Sequence, residues 1–98
     1  MILTYRLLTV TERPPMELLL LADPSEHMIA QYIRDGKCYI ASMAGEDVGV
    51  VVLFSQNTEI TEIMNVAVAE KWQGHGIGKL LVQHAVSEAQ PQNSDRNR

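Results

Sequence analysis

Apolar and polar residues alternate along the chain with two different spacings, which predict both strands and helices. Residues 2–10 are rich in branched and other apolar side chains and predict a first strand. Pro14 and Pro15 then mark a boundary, because proline suits the first turn of a helix and disfavours helix in the residue before it. A short helix is therefore expected over residues 16–22.

A second helix is predicted directly after the first. Asp23, Pro24 and Glu26 resemble a capping box, with Asp23 as the N-cap and Glu26 at the third helical position. Apolar residues then recur at helical spacing as far as about Asp35. Gly36 follows as a natural C-terminal cap.

The middle of the chain changes to the spacing of strands. Residues 38–43 and 48–54 are dominated by branched, aromatic and other apolar side chains, and residues 44–47 between them predict a hairpin turn. A second turn at residues 56–58 leads into a further strand over residues 59–68. Together these segments predict an antiparallel meander.

A last amphipathic segment covers residues 76–90 and predicts a helix that lies on the sheet. The residues expected along its inner side are Ile77, Leu80, Leu81, His84, Ala85, Glu88 and Ala89. The predicted order of elements is therefore β-α-α-β-β-β-α, in an α+β fold.

The segment between the last strand and the last helix has the features of a phosphate-binding turn. Residues 72–80 read Trp-Gln-Gly-His-Gly-Ile-Gly-Lys-Leu. The first amides of a helix have no intrahelical acceptor, and the helix dipole places partial positive charge there, so an anion satisfies both. The three glycines remove side chains that would keep phosphate oxygens away and relax the restriction on φ, and Lys79 adds a full positive charge.

Two other glycine motifs fit this segment poorly. A P-loop requires four residues between its first glycine and Gly-Lys-Ser/Thr, whereas three separate Gly74 from Gly78, and Lys79 precedes Leu80, which has no hydroxyl for magnesium. The dinucleotide fingerprint requires Gly-x-Gly-x-x-Gly near the start of a βαβ unit, whereas this chain has Gly-x-Gly-x-Gly late in its sequence. A tight turn that only allows close packing of strand and helix remains an alternative.

Strand and turn together carry a family resemblance. Asn65-Val66-Ala67-Val68, followed by Gln-Gly-His-Gly-Ile-Gly-Lys-Leu-Leu at residues 73–81, resembles the coenzyme-binding motif of the GNAT superfamily of N-acetyltransferases, Gln/Arg-x-x-Gly-x-Gly/Ala. The resemblance implies the front part of the acyl-CoA N-acyltransferase fold. It also implies that acetyl-CoA is the cosubstrate, with its pyrophosphate in the turn and its pantetheine arm along the strand. The implied coenzyme-binding residues are Val66, Ala67, Val68, Gln73, Gly74, His75, Gly76, Ile77, Gly78 and Lys79.

The activity that this resemblance implies is transfer of an acetyl group from acetyl-CoA to an amine of a small molecule or protein by direct attack. Some family members place a general-base glutamate four residues before the Val-Ala-Val triplet, and Glu62 holds that position. A solvated or salt-bridged strand carboxylate is the alternative interpretation of Glu62, and Glu59 is a weaker candidate base. Glu12, Glu17 and Asp23 indicate some attraction for a cationic amine.

The end of the chain departs from the family pattern. Family members continue into a fifth strand, a further helix and closing strands, whereas residues 91–98 are polar apart from one proline. We expect residues 1–90 to form the N-terminal part of an N-acetyltransferase domain and residues 91–98 to be a disordered tail. The alternative function is a truncated, catalytically incomplete acetyl-CoA-binding fragment that needs a second chain or self-associates, as a homodimer through the open strand 59–68. In a third interpretation the chain is an interaction module whose turn binds nothing.

Composition narrows the range of partners. The chain has 8 Lys+Arg against 12 Asp+Glu and a net charge of −4, so a general attraction for nucleic acid or anionic membrane is not expected. Cys38 is the single cysteine, which excludes an intrachain disulfide, and no metal site is expected. The first residues lack the pattern of a leader, so we expect a cytoplasmic location.

Overall fold

A computed structural model describes residues 2–89, and it confirms the predicted order of strands and helices. The predicted tail at residues 91–98 lies outside the described residues. In chain order the elements are β1 (Thr4–Leu7), α1 (Met16–Ala22), α2 (Glu26–Asp35), β2 (Lys37–Met43), β3 (Glu46–Ser55), β4 (Thr61–Val68), a 3₁₀ helix (Glu70–Trp72) and α3 (Ile77–Ala89).

The sheet is the predicted antiparallel meander, with strands in the order β1-β2-β3-β4. Its central hairpin turns through Ala44 and Gly45, whose φ angles are both positive, at 52° and 79°. Positive φ at both turn residues matches the twist of the flanking strands and explains the glycine. Within the described sheet, β1 and β4 are the edge strands.

Two strands are shorter than the sequence predicts. The first ends at Leu7 rather than continuing to residue 10, because the chain then turns through a hydrogen bond from the Glu12 N–H to the Thr9 carbonyl (3.2 Å). Strand β4 begins at Thr61 rather than at residue 59, because the Asn57 side-chain oxygen accepts hydrogen bonds from the N–H groups of the two residues before Thr61 (2.7 and 3.0 Å). Such a local side-chain turn competes with strand pairing.

Helix α2 starts with a different cap from the predicted one. The N-cap is Ser25, whose hydroxyl accepts a hydrogen bond from the Met28 N–H (3.1 Å), and Glu26 is the first helical residue. The predicted N-cap, Asp23, instead ends α1 and accepts a hydrogen bond from the Ser25 N–H (3.0 Å). A serine and an aspartate two residues apart both suit an N-cap, and the packing of α1 decides between them.

Gly36 ends α2 in an extended conformation rather than in the left-handed one of a typical C-cap glycine. A Cβ atom at this position would lie 2.4 Å from the Leu53 carbonyl oxygen and 2.9 Å from the Tyr32 carbonyl oxygen. The glycine is therefore required because the helix end passes close to the backbone of β3.

The sheet is covered on both faces, and each face has its own core. Helices α1 and α2 cover one face, where the buried residues are Leu18, Leu19, Ile29, Tyr32, Cys38, Ile40, Val50, Val52 and Ala67. Helix α3 covers the other, where the buried residues are Tyr39, Ala41, Val48, Val51, Leu53, Ile77, Leu81 and Ala85. Leu80 and Glu88 were expected on the inner side of α3 but are exposed. Leu80 lies one residue and so about 100° away from Leu81 around the helix.

Candidate functional site

The turn before α3 has the backbone geometry that its glycines predict. Gly74 and Gly76 have φ angles of 85° and 80°, a region that side chains rarely adopt. A Cβ atom at either glycine would meet nothing within 4 Å, so both positions face open space. The glycines are needed for the backbone conformation, and they leave the approach to the helix end clear.

The N-terminus of α3 presents free amides at this opening. The first hydrogen bond of the helix runs from the Leu80 N–H to the Gly76 carbonyl (3.1 Å), so the amides of Gly76, Ile77, Gly78 and Lys79 have no acceptor within the helix. The side chain of Ile77 is buried in the core, which leaves only its main chain for a ligand. Lys79 is exposed beside these amides, so main-chain dipoles and one full positive charge favour an anion here.

The helix end is packed directly against β4. A Cβ atom at Gly78 would lie 3.6 Å from a methyl group of Val68 and 3.9 Å from one of Val66, which is ordinary contact distance. The free amides of α3 therefore lie beside the last residues of β4.

Strand β4 offers hydrogen-bonding groups on the side away from β3. The Ala69 N–H donates to the Val48 carbonyl (2.8 Å), and in an antiparallel ladder every second residue repeats this bonding. The backbone N–H and C=O of Ala67, which lies opposite Val50, therefore point towards β3. Those of Val66 and Val68 point outwards. The ladder is irregular just before, because Val52 pairs with Asn65 but Leu53 pairs with Ile63, so Met64 is bulged out.

Gln73 has a partner of its own at this edge. Its side-chain Nε2 donates to the Val68 carbonyl (2.9 Å), so it covers the outward carbonyl nearest the turn. The outward N–H and C=O of Val66 and the Val68 N–H point away from β3 at this edge of the sheet.

An open groove runs between this edge and the end of α1. It has a volume of about 350 Å³ and is lined by Leu21, Ala22, Val66, Ala67, Val68 and Gln73. Four of the ten predicted coenzyme-binding residues, Val66, Ala67, Val68 and Gln73, therefore line one groove, and the glycine turn follows directly after Gln73. Leu21 and Ala22, which supply the other wall of the groove, were not predicted as site residues.

His75 and Trp72, at the start of the turn, contact each other. His75 is exposed, with its ring Nδ1 3.1 Å from the Trp72 carbonyl oxygen and the two rings 5.8 Å apart in an edge-to-face arrangement. Trp72 packs against the core under α3. The His75 ring is therefore held against the turn rather than in the groove.

Glu62 is not among the residues that line the groove. It is exposed in β4 opposite Phe54. Because Val50 and Val52 face α1 and α2, alternation along β3 places Phe54 and its partner Glu62 on that same face. Leu21 and Ala22 border the groove from this face, so Glu62 lies on the same side of the sheet as these two residues.

The structure also shows a buried polar cluster beside the groove that sequence reasoning missed. Asn65 in β4 donates from Nδ2 to the Leu19 carbonyl (3.0 Å) and to the Tyr32 hydroxyl oxygen (2.9 Å). The Tyr32 hydroxyl donates to the Asp23 carboxylate (2.9 Å), and the Asp23 N–H donates to the Leu19 carbonyl (3.1 Å). Tyr32 reads as an apolar position of α2 in the sequence; the available signal was an asparagine within an apolar strand.

These contacts change the interpretation of the carboxylates expected to attract an amine. Asp23 is engaged by Tyr32 and Ser25, and Glu12 is paired with Arg6 at 2.6 Å. Hydrogen bonds from the Arg6 guanidinium hold the pKa of Glu12 below its ordinary value. Of the three, only Glu17 has no such partner among the described residues.

Other titratable groups have structural roles or lack ligand geometry. Cys38 is buried, and burial raises the pKa of its thiol to about 12, so it is not a nucleophile at neutral pH. Within residues 2–89, no group of three or more His, Cys, Asp or Glu side chains is arranged to hold a metal ion.

No helix in the same range is both long and apolar enough to span a membrane.

Comparison with known proteins identifies one family. The model of the acetyltransferase (GNAT) domain matches residues 34–97. The chain is 42% identical over 79 residues to an uncharacterized N-acetyltransferase of Bacillus subtilis, YvbK, covering 81% of this chain and 51% of that protein. It therefore spans about half the length of this curated relative.

Solved structures give the same result. A GNAT family acetyltransferase from Elizabethkingia anophelis with acetyl-CoA bound superposes with a TM-score of 0.84 at 42% identity, over 89% of this chain and 57% of that one. A Bacillus subtilis acetyltransferase in complex with CoA superposes with a TM-score of 0.79 at 40% identity, over 88% and 57% of the two chains.

Proposed function

The chain belongs to the GNAT family of acetyltransferases, and from this membership we propose that it binds acetyl-CoA in the groove beside β4 and takes part in transferring the acetyl group to an amine. The observation that carries the proposal is the junction of two features: free amides at the start of α3 and the outward backbone of Val66 at the open edge of β4. Acetyl-CoA or CoA is bound in two of the similar structures.

The coenzyme would use main chain more than side chains. Its pyrophosphate would accept hydrogen bonds from the amides of residues 76–79, with Lys79 adding charge. The amides of its pantetheine arm would pair with the outward N–H and C=O of Val66, as an added strand does. The Gln73 side chain would stay hydrogen-bonded to the Val68 carbonyl at this edge, and His75 would remain outside the groove.

The transfer itself requires little covalent chemistry from the protein. The amine nitrogen attacks the thioester carbonyl carbon, a tetrahedral oxyanion forms, and the carbon–sulfur bond breaks as the carbonyl reforms. The amine loses one proton and the leaving thiolate takes one up. An outward amide of β4 would polarise the thioester. The acceptor would be an amine of a small molecule or of a protein.

Glu62 is the proposed general base, and its substitution gives a first test. We expect Glu62→Gln to lower kcat about tenfold at neutral pH while the KM for acetyl-CoA stays unchanged, a modest effect for a base because solvent at this exposed position also accepts protons. The release of CoA thiol with an amine acceptor measures both constants. Glu88→Gln is the matched control, since Glu88 is an exposed carboxylate in α3, on the other face of the sheet. Equal rates for the two variants would show that Glu62 is only a surface carboxylate.

The runner-up function is an incomplete coenzyme-binding fragment. It is favoured by one observation: the similar solved acetyltransferases are longer, since the chain covers 57% of each. Binding of acetyl-CoA without acetyl transfer to any amine tested would support this alternative over the enzyme. Absence of binding would reject both and favour an interaction module.

Self-association through β4 belongs to the same alternative. The strand is an edge of the described sheet, and Ile60 just before it and Ile63 within it are exposed. We expect sedimentation of the free chain to show a dimer, and Ile63→Lys to give a monomer. Val10→Lys is the control, because Val10 is fully exposed outside the strands. A wild-type monomer at about 100 μM would contradict the dimer, given that specific interfaces usually bind in or below the micromolar range.

A further inference from the structure

The hydrogen bonds around Asn65 form a closed ring at the end of α1. Asn65 donates to Leu19 and Tyr32, Tyr32 donates to Asp23, and the Asp23 N–H returns to the Leu19 carbonyl. The ring joins three elements, because Leu19 and Asp23 belong to the end of α1, Tyr32 to α2 and Asn65 to β4.

The ring holds both ends of a short segment that borders the groove. Leu19 and Asp23 are four positions apart, and Leu21 and Ala22 lie between them in the wall opposite β4. On the other side, Asn65 directly precedes Val66, the first of the groove residues in β4. One side chain therefore connects the two walls of the groove at their base.

Burial makes this connection hard to replace. Leu19 is completely buried, and Tyr32 and Asn65 are each 5% exposed, so water cannot readily substitute for a lost partner. The Asn65 side-chain oxygen has no partner among the described residues, so the amide is fixed through its two donated bonds. Burial also raises the pKa of the Tyr32 phenol, and the neighbouring Asp23 carboxylate adds to this, so the hydroxyl stays a donor well above neutral pH.

We propose that Asn65, Tyr32 and Asp23 are positioning residues that set the distance between the end of α1 and the edge of β4, and with it the width of the coenzyme groove. The inference rests on the proposed function, because it assigns the groove to the coenzyme arm. None of the three residues needs to touch the coenzyme. Their effect is to hold Leu21 and Ala22 at the separation from Val66 that the arm requires.

Two buried tyrosines of equal exposure give a matched test. Tyr32→Phe removes one hydroxyl from the ring, whereas Tyr39→Phe removes one from the opposite face of the sheet, where Tyr39 is also 5% exposed. By calorimetry we expect acetyl-CoA to bind Tyr32→Phe about 3- to 10-fold more weakly than wild type, the effect of losing one net hydrogen bond, and Tyr39→Phe with unchanged affinity. Equal affinities for the two variants would overturn the proposal.

A second measurement needs no coenzyme. Amide hydrogen exchange in the free protein should be faster at residues 20–23 in Tyr32→Phe than in Tyr39→Phe, because α1 is released from the ring. If wild type does not bind acetyl-CoA, the proposed function fails, and exchange alone decides: equal exchange at residues 20–23 overturns the positioning role.

A third pair of variants applies if Tyr32→Phe does not fold. Asp23→Ala removes the acceptor of the ring without changing the buried core, and we expect it to weaken coenzyme binding and to speed exchange in α1. Asp23→Asn keeps one acceptor oxygen, which the Tyr32 hydroxyl and the Ser25 N–H would have to share, and should restore both in part. Identical behaviour of Asp23→Ala and wild type would overturn the proposal.

Discussion

We expect acetyl-CoA to stabilise the wild-type chain against heat and Gly76→Glu to remove that stabilisation. A ligand present at 100 times its Kd and bound only by the folded state adds about 2.7 kcal/mol, which corresponds to a rise in Tm of about 10 to 20 °C for a domain of this size. Gly76 has a φ of 80° and open space where its Cβ would be, so a glutamate side chain would extend into the approach to the free amides. Its carboxylate would also repel the pyrophosphate.

Gly45 provides the control for backbone strain. Its φ of 79° and its open surroundings match those of Gly76, but it lies in the turn between β2 and β3. Gly76→Glu and Gly45→Glu should each cost about 1 to 2 kcal/mol of stability without ligand, the cost of a left-handed conformation for a residue with a Cβ. Only Gly45→Glu should keep the shift with acetyl-CoA. An undiminished shift in Gly76→Glu would mean that the coenzyme binds elsewhere.

The largest loss of stability is expected for Gly36→Ala. The new Cβ would lie 2.4 Å from the Leu53 carbonyl oxygen and 2.9 Å from the Tyr32 carbonyl oxygen, and both are main-chain atoms that can move only with their elements. We expect a cost of about 3 kcal/mol, the upper end of the usual range for overpacking. At about 4 to 8 °C per kcal/mol the Tm should fall by roughly 12 to 24 °C, which thermal unfolding by circular dichroism measures.

Gly78→Ala is the matched comparison for this change. Its Cβ would meet the methyl groups of Val68 and Val66 at 3.6 and 3.9 Å, which is ordinary contact. Because Gly78 is in α3, alanine should leave the stability unchanged or raise it by up to about 1 kcal/mol. Similar Tm values for Gly36→Ala and Gly78→Ala would show that α2 and β3 can separate at little cost.

A feature of this fold was easier to predict when the residues that specify it lie close together in the chain. The order of elements and the meander were predicted correctly because apolar spacing and turn residues act within a few positions. The ends of β1 and β4 were placed wrongly, because the side chain of Asn57 and the turn at Glu12 compete with strand pairing locally. The inner side of α3 was correct at Leu81 but not at Leu80.

Neighbouring residues were enough to predict the glycine turn, since positive φ at Gly74 and Gly76 is a requirement of the local backbone. The sequence also carried the motif that places the chain in its family. Contacts between distant parts of the chain explain why Gly36 must be a glycine, why Ser25 and not Asp23 caps α2, and how Asn65 joins two walls of a groove. Asn65 reaches partners 46 and 33 positions earlier in the chain, and no local pattern specifies contacts over that distance.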